Sequence, residues 1–364
     1  MGPHQTRENF TSPDLKRGMY LQSERVSGEV AVVVGLGLIG GSIALRLSAR
    51  GWSVFGLDPD ELTKNAAAES GIELLNSLDD IQSVSPDIVV VAGPLRTIPD
   101  SLKSIAALTG PTCTVIEVGS VKRPVIASLN NLDIDFLRRF VPVHPMAGKE
   151  SSGFENASES LLVDVPWALI LDSGSSIDHA LYALNFLTKE FDARVHPLGA
   201  RGHDESVALI SQLPHMLANA LLVAVGESQR SRSAFALAAG SFRDGTRVAG
   251  SAPDRTTAMV FDNREALVSY STLLACQLIA SGMEFRGNRN IDLFARAAKV
   301  REEYEDFKVV HDRKSHLTLH RHRLFDDLIS LGEEGSSIAL LSTACDTFEF
   351  LVSGDHKFST GTRL

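Results

Sequence analysis

The stretch EVAVVVGLGLIGGSIALRLSARGWSVFGLDPD, residues 29–60, leaves the chain few ways to fold. It opens on a continuously apolar run at 32–34, the pattern of a parallel strand covered on both faces. Gly35, Gly37 and Gly40 follow as G-x-G-x-x-G, and a helical stretch from Leu38 to Arg50 stops at Gly51. SVFGLD reads as a second strand. In that context the first glycine permits a tight turn, the second lets backbone approach a pyrophosphate, and the third lets helix pack on strand. The helix N-terminus, opening with Leu38 and Ile39, presents N–H groups and a positive dipole end to phosphate. Asp58 ends the second strand about 20 residues on, where a carboxylate binds ribose hydroxyls and repels a 2′-phosphate. The expected cofactor is therefore NAD rather than NADP.

Further strands are expected at 87–93, 112–120 and 138–145, then at WALIL and ARVHPL, with helices between them. The fold class is a Rossmann α/β domain, a doubly wound and mostly parallel sheet, over residues 28–201. The pattern changes near Gly202. Residues 204–227 are helical and apolar nearly all round, as in a helix buried on every side, and Pro214 is expected to kink it. Helical patterns continue at 231–240, 263–286 and 290–307. Residues 202–307 read as an all-helical domain whose surplus apolar surface points to a homodimer. Residues 1–27 read as a flexible polar tail, and 308–364 as a helix followed by two strands.

Composition excludes several classes. A formal net charge of −10 gives no general attraction to nucleic acid or an anionic membrane, so an anionic substrate needs a local basic pocket. Cys113, Cys276 and Cys345 lie far apart without metal or redox spacing and fit a reducing cytoplasm. No apolar run reaches the roughly 20 residues that span a bilayer, and the chain opens on no signal-type stretch.

Ligands of such sheets bind outside the carboxyl ends of the strands, which places Pro94, Arg96, Thr97 and Ser120 beside the nicotinamide. Arg96 reads equally well as a solvated loop arginine. VPVHPMAGKESSGF, residues 141–154, sets His144 between Pro142 and Pro145, at another strand end. Alone it is a strand end and a surface loop. On the same rim, however, NAD-dependent oxidation of an alcohol needs a group to take the hydroxyl proton. An imidazole, with an ordinary pKa of about 6.5, suits that task.

Five segments together, VVGLGLIGGS, VGSVK, VHPMAGKESSG, HDESVALISQLPH and SFRDGTRVAGSAPD, resemble the prephenate and arogenate dehydrogenases of tyrosine biosynthesis over about residues 30–307. The last segment has the wording of the actinobacterial branch. The resemblance implies oxidative decarboxylation of a cyclohexadienol, either prephenate to 4-hydroxyphenylpyruvate or arogenate to tyrosine, with no metal. It implies that His144 hydrogen-bonds the ring hydroxyl, that Ser120 assists there, and that Arg247 grips a substrate carboxylate. His215 and Ser211 would line the pocket wall and Glu150 would sit near the substrate entrance. Other readings stay open: Arg247 as a helix-surface ion pair, His215 as a core histidine, and Arg243 and Lys149 as solvated or structural residues. Gln212 stands where the family often has histidine, so a second imidazole on that wall is expected to be missing. Actinobacterial relatives often append an ACT domain. LFDDLISLGEEGSSI looks like the helix and strand of one, and HDRKSH is the nearest match to its ligand loop, so a degenerate ACT-like segment is expected at 308–364.

Two other functions compete. A β-hydroxyacid dehydrogenase would carry a catalytic lysine on the interdomain helix, and HDESVALISQLPHMLANALL has none. A non-catalytic NAD-sensing protein would have no use for Ser120, His144 and Arg247 together.

Overall fold

The computed structural model describes residues 28–149, 151–287, 292–310 and 313–354. The strands are β1 (Val30–Val34), β2 (Ser53–Leu57), β3 (Glu73–Leu74), β4 (Ile88–Val91), β5 (Thr114–Glu117), β6 (Phe140–Pro145), β7 (Pro166–Ile170), β8 (Arg194–Leu198), β9 (Lys314–His320), β10 (Ser337–Thr343) and β11 (Thr347–Ser353). They form one sheet in the order β3-β2-β1-β4-β5-β6-β7-β8-β10-β11-β9. The first six are mutually parallel, β7 runs antiparallel to β6, and β8 is parallel to β7. The continuously apolar strands follow from burial on both faces. Ala31 and Val33 pack into one layer with Ile43 and Leu47 of the helix Leu38–Ala49, while Val32 and Val34 pack into the other with Ile98 and Leu102.

The chain order reverses direction across the sheet between β1 and β4, which leaves a crevice at their carboxyl ends. Beyond β8 comes a run of helices: Ala200–Val207, a π-turn Ala208–Gln212, then Leu213–Gly226. The disturbance expected at Pro214 appears as that π-turn just before it, which shifts the hydrogen-bond ladder where proline supplies no N–H. Further helices are Ser231–Ala236, Gly240–Thr246, Pro253–Asp262, Arg264–Arg286 and Asp292–Val310.

Three expectations need correction. The apolar helix is not buried on all sides in one chain: Ile210, Leu217, Leu221 and Val223 are exposed, as are Leu273, Ile279 and Met283 of Arg264–Arg286. The segments Ala200–Gly226 and Arg264–Arg286 are also long and apolar enough, by length and composition, to cross a membrane. A search for unbroken apolar runs passes over them because serine, glutamine and other polar residues punctuate both. The C-terminal segment begins with a strand, β9, before its helix Leu324–Glu333, so Lys314–His320 from the supposed ligand loop onward is extended chain. The expected tail at 1–27 lies outside the described residues.

The C-terminal β-α-β-β unit continues the Rossmann sheet. Ile338 of β10 pairs with Val195 of β8, and His196 Nδ1 lies 3.1 Å from the Ser336 carbonyl. Pro197, next along β8, has no N–H with which to extend a ladder. There the unit closes by contact instead: a Cβ on Gly332 would fall 1.6 Å from the Pro197 carbonyl oxygen, so only glycine fits.

Candidate active site

At the β1–β4 crevice two turns touch. Gly35 has φ +93°, and a Cβ there would lie 2.6 Å from the Gly93 nitrogen after β4. A Cβ on Gly40 would lie 1.8 Å from the Gly35 carbonyl oxygen, so helix and strand are in backbone contact. Gly37 differs: nothing lies within 4 Å of its would-be Cβ. Its neighbours in the protein do not require glycine, but a group seated on the helix N-terminus would. Leu38 is buried and Ile39 packs against the core that holds Ile43 and Leu47, leaving the helix N-terminus to present backbone. Asp58 is anchored beside this turn, its Oδ2 accepting from the Leu36 N–H at 2.8 Å and its Oδ1 from the Asp60 N–H at 2.9 Å. Pro94, Arg96 and Thr97 lie in the turn after β4, where the Thr97 hydroxyl and N–H both donate to the Pro94 carbonyl at 2.8 Å. The open space at Gly37, the helix terminus and the Asp58 carboxylate fit NAD.

His144 lies near the carboxyl end of β6, and Ser120 follows the carboxyl end of the neighbouring strand β5. His144 keeps part of its surface open and is enclosed on its other sides. Its Nδ1 faces Nε2 of His203 at 3.0 Å, with the rings nearly edge-on at 71°. His203 Nδ1 in turn lies 2.8 Å from Asp204 Oδ1. Burial pushes the His144 imidazole well below its ordinary pKa, helped by His203 and by the Lys122 ammonium. Burial likewise lowers His203, opposed by its hydrogen bond to Asp204. Both rings are therefore neutral near pH 7, as a proton acceptor requires.

A buried ion pair stands behind them. Lys122 and Glu117 are fully buried, and Lys122 Nζ donates to Glu117 Oε1 at 2.7 Å and to the Val143 carbonyl, adjacent to His144, at 2.5 Å. Glu117 Oε2 also accepts from the Gly119 N–H at 2.7 Å. Burial raises the Glu117 carboxyl and lowers the Lys122 ammonium, each opposed by its partner. His203, Asp204, Lys122 and Glu117 are site residues that the sequence reading misses. The available signal is charge inside an apolar strand in VIEVGSVK and the adjacent His-Asp pair in HDESV.

Arg247, His215, Ser211, Gln212 and Arg243 fall on the helical domain, and Lys149 in the loop after β6. Arg247 is exposed in the turn Arg247–Gly250 after Gly240–Thr246. His215 is half-buried, its Nδ1 2.8 Å from the Ser211 carbonyl one helical turn back. It lines a mainly apolar cleft with Phe261 and Leu267. Gln212 is no pocket-wall residue. It is fully buried, donating to the Met259 carbonyl at 3.1 Å and accepting from Asn263, which also donates to the Asp204 carbonyl at 2.7 Å. Lys149 is exposed and donates to the Asn156 carbonyl at 3.2 Å. Arg243 is exposed at the helical domain's surface. Glu150 lies outside the described residues.

A glycine turn at a Rossmann switch point, with a half-buried imidazole backed by a buried one near the same rim and a helical domain after it, defines a dinucleotide-dependent oxidoreductase. The chain belongs to the prephenate dehydrogenase family: residues 42–196 match its nucleotide-binding domain and residues 199–277 its dimerization domain. It is 32% identical to the cyclohexadienyl dehydrogenase of Zymomonas mobilis over 243 residues, covering 65% of this chain and 81% of that one. Its fold is similar to prephenate dehydrogenase from Aquifex aeolicus, solved with hydroxyphenyl propionate and NAD+, at TM-score 0.69 and 25% identity, covering 77% of this chain and 99% of that one. Arogenate dehydrogenase from Synechocystis is similar at TM-score 0.64 and 26% identity, covering 76% and 99%. Part of this chain therefore has no counterpart in either structure.

Proposed function

We propose that the chain is an NAD-dependent prephenate dehydrogenase that forms 4-hydroxyphenylpyruvate, acting as a cytoplasmic homodimer in tyrosine biosynthesis. The observation that carries this reading is His144, a desolvated neutral imidazole near a strand end, next to the strand that leads to Ser120. When bound, NAD supplies the acceptor for hydride from the hydroxyl-bearing ring carbon. His144 takes the hydroxyl proton as that carbon becomes a carbonyl, and Ser120 holds the same oxygen. The bond from the ring to its carboxylate then breaks, its electron pair enters the ring, and carbon dioxide leaves an aromatic product. Aromatisation drives the reaction, so the protein has chiefly to align the hydroxyl and the ring.

Arg247 binds a substrate carboxylate with its planar fork, in a protein whose net charge otherwise repels a dianion. His215 and Ser211 line the substrate wall, and Glu150 sits at its entrance by family resemblance. Pro94, Arg96 and Thr97 flank the nicotinamide. Exposed Leu217, Leu221, Leu273 and Ile279 support burial against a second copy. The wording of FRDGTRVAGS supports the actinobacterial branch, and the β-α-β-β order of 314–353 supports a degenerate ACT-like segment.

Steady-state kinetics with prephenate and arogenate, each with NAD+ and NADP+, test the reading. The highest kcat/KM is expected for prephenate with NAD+. Turnover of arogenate alone would replace the substrate assignment, equal use of both cofactors would remove the role given to Asp58, and no turnover of either substrate would overturn the reading.

A further inference from the structure

We infer that His203 and Asp204 are positioning residues that fix the tautomer of His144 and leave its Nε2 as the bare proton acceptor. The inference rests on the reading of His144 as the base. It follows from counting donors and acceptors along one chain of contacts. Asp204 is held by two backbone donors from the turn after β5: Oδ1 accepts from the Lys122 N–H and Oδ2 from the Arg123 N–H, both at 2.9 Å. A carboxylate can only accept, so the His203 nitrogen 2.8 Å from Oδ1 must carry a hydrogen. In a neutral ring the other nitrogen, Nε2, is then bare. That bare nitrogen faces His144 Nδ1 at 3.0 Å, so Nδ1 of His144 must be the protonated one. The lone pair of His144 is thereby left on Nε2, the nitrogen not engaged with His203. The reverse order would place the bare Nδ1 of His203 against a carboxylate at 2.8 Å, two acceptors in hydrogen-bond contact with no proton between them.

The same chain prepares for the charged state. When Nε2 of His144 takes the hydroxyl proton, its Nδ1–H still donates to His203, and His203 still donates to Asp204. The positive charge formed on His144 is met by a dipole whose far end is a carboxylate, and no group has to turn. The parts are fixed independently: Asn263 ties the Asp204 backbone to Gln212, and Lys122 ties the strand end at Val143 to Glu117. The arrangement follows the general rule that the partner of one imidazole nitrogen decides what the other nitrogen can do.

The test combines kinetics of the full chain with nitrogen NMR of its histidine rings, His144 being assigned by loss of signal in His144→Asn. In the wild type, the His144 proton is expected on Nδ1. Asp204→Asn, whose amide can donate to His203 Nδ1, is expected to move that proton to Nε2 and to lower kcat by roughly 10² or more, with KM and the NAD+ Kd little changed. His203→Leu should show the same kinetic split. His203→Gln, whose amide oxygen can accept from Nδ1–H, should recover part of kcat. A wild-type spectrum with the proton on His144 Nε2 overturns the inference whether or not any variant folds. So does a His203→Leu enzyme with normal kcat while His144→Asn is inactive, an outcome that leaves His144 as the base. Near-normal kcat in His144→Asn would instead remove the base itself.

Discussion

The role proposed for Arg247 predicts that removing its guanidinium affects the substrate and not the cofactor. Arg247 stands in a turn of the helical domain, whereas the glycine turn and Asp58 belong to the sheet. A charge-assisted bidentate contact is worth about 1.5 to 3 kcal/mol, or roughly 10- to 150-fold in affinity. Arg247→Ala is therefore expected to raise KM for prephenate by that range, with a smaller change in kcat and an unchanged NAD+ Kd from fluorescence titration. Arg247→Lys should recover only part of the loss, because an ammonium lacks the planar fork. An unchanged KM with weakened NAD+ binding would make the residue structural. His144 is legible in the sequence because a histidine at the end of a strand in a parallel sheet has a readable location. Its partners are not. His203 lies 59 residues further along the chain, and only the path of β8 into Ala200–Val207 brings it and Asp204 to β6. Gln212 escapes a correct reading for a related reason: helical spacing says which residues share a face, not which face meets Asn263.

Among the secondary-structure elements, the glycine turn yields the sharpest contrast. Gly40 has no room for a methyl group, since its Cβ would meet the Gly35 carbonyl, whereas Gly37 has open space. Gly40→Ala should thus lower the melting temperature, because overpacking at a backbone contact costs about 1 to 3 kcal/mol. Gly37→Ala should melt like the wild type and yet bind NAD+ more weakly, since its methyl would occupy the space a pyrophosphate needs. Calorimetry and NAD+ titration of the two variants check this, and parallel behaviour would contradict the assignment. The strands around this turn can be read from sequence because burial on both faces makes them uninterruptedly apolar. β9 escapes because it is half-buried: Lys314, His316, Thr318 and His320 alternate with Leu317 and Leu319, the two that pack into the core. The long helices of 200–226 and 264–286 are legible as helices, whereas the short ones Gly240–Thr246 and Pro253–Asp262, rich in glycine or opened by proline, are not, and neither is the burial of any of them. Apolarity records that a surface must be covered, not whether the same chain covers it.

Taken as a whole molecule, the chain carries its sheet past the segment that matches the family's nucleotide-binding domain, residues 42–196, into the strands of residues 314–353. Both dehydrogenase structures compared above are matched over 99% of their length by about three quarters of this chain. Beyond the segments that match the family, residues 42–196 and 199–277, lie strands stitched to β8 through Val195, His196 and Pro197. A chain stopped after residue 310 would lose Leu324, Leu328, Leu331 and Ile338 from the core they share with Val195. It would also turn β8 into a bare sheet edge with unpaired backbone groups, a template for strand addition by another chain. Such a truncation is expected to self-associate, seen as light scattering and early elution in size-exclusion chromatography. A well-behaved, fully active truncated enzyme would make the unit a detachable appendage. The Gly332–Pro197 contact also has an evolutionary consequence. Because that seam tolerates no side chain at Gly332, the C-terminal unit cannot be exchanged freely for another module, and any change along β8 must be matched across the joint.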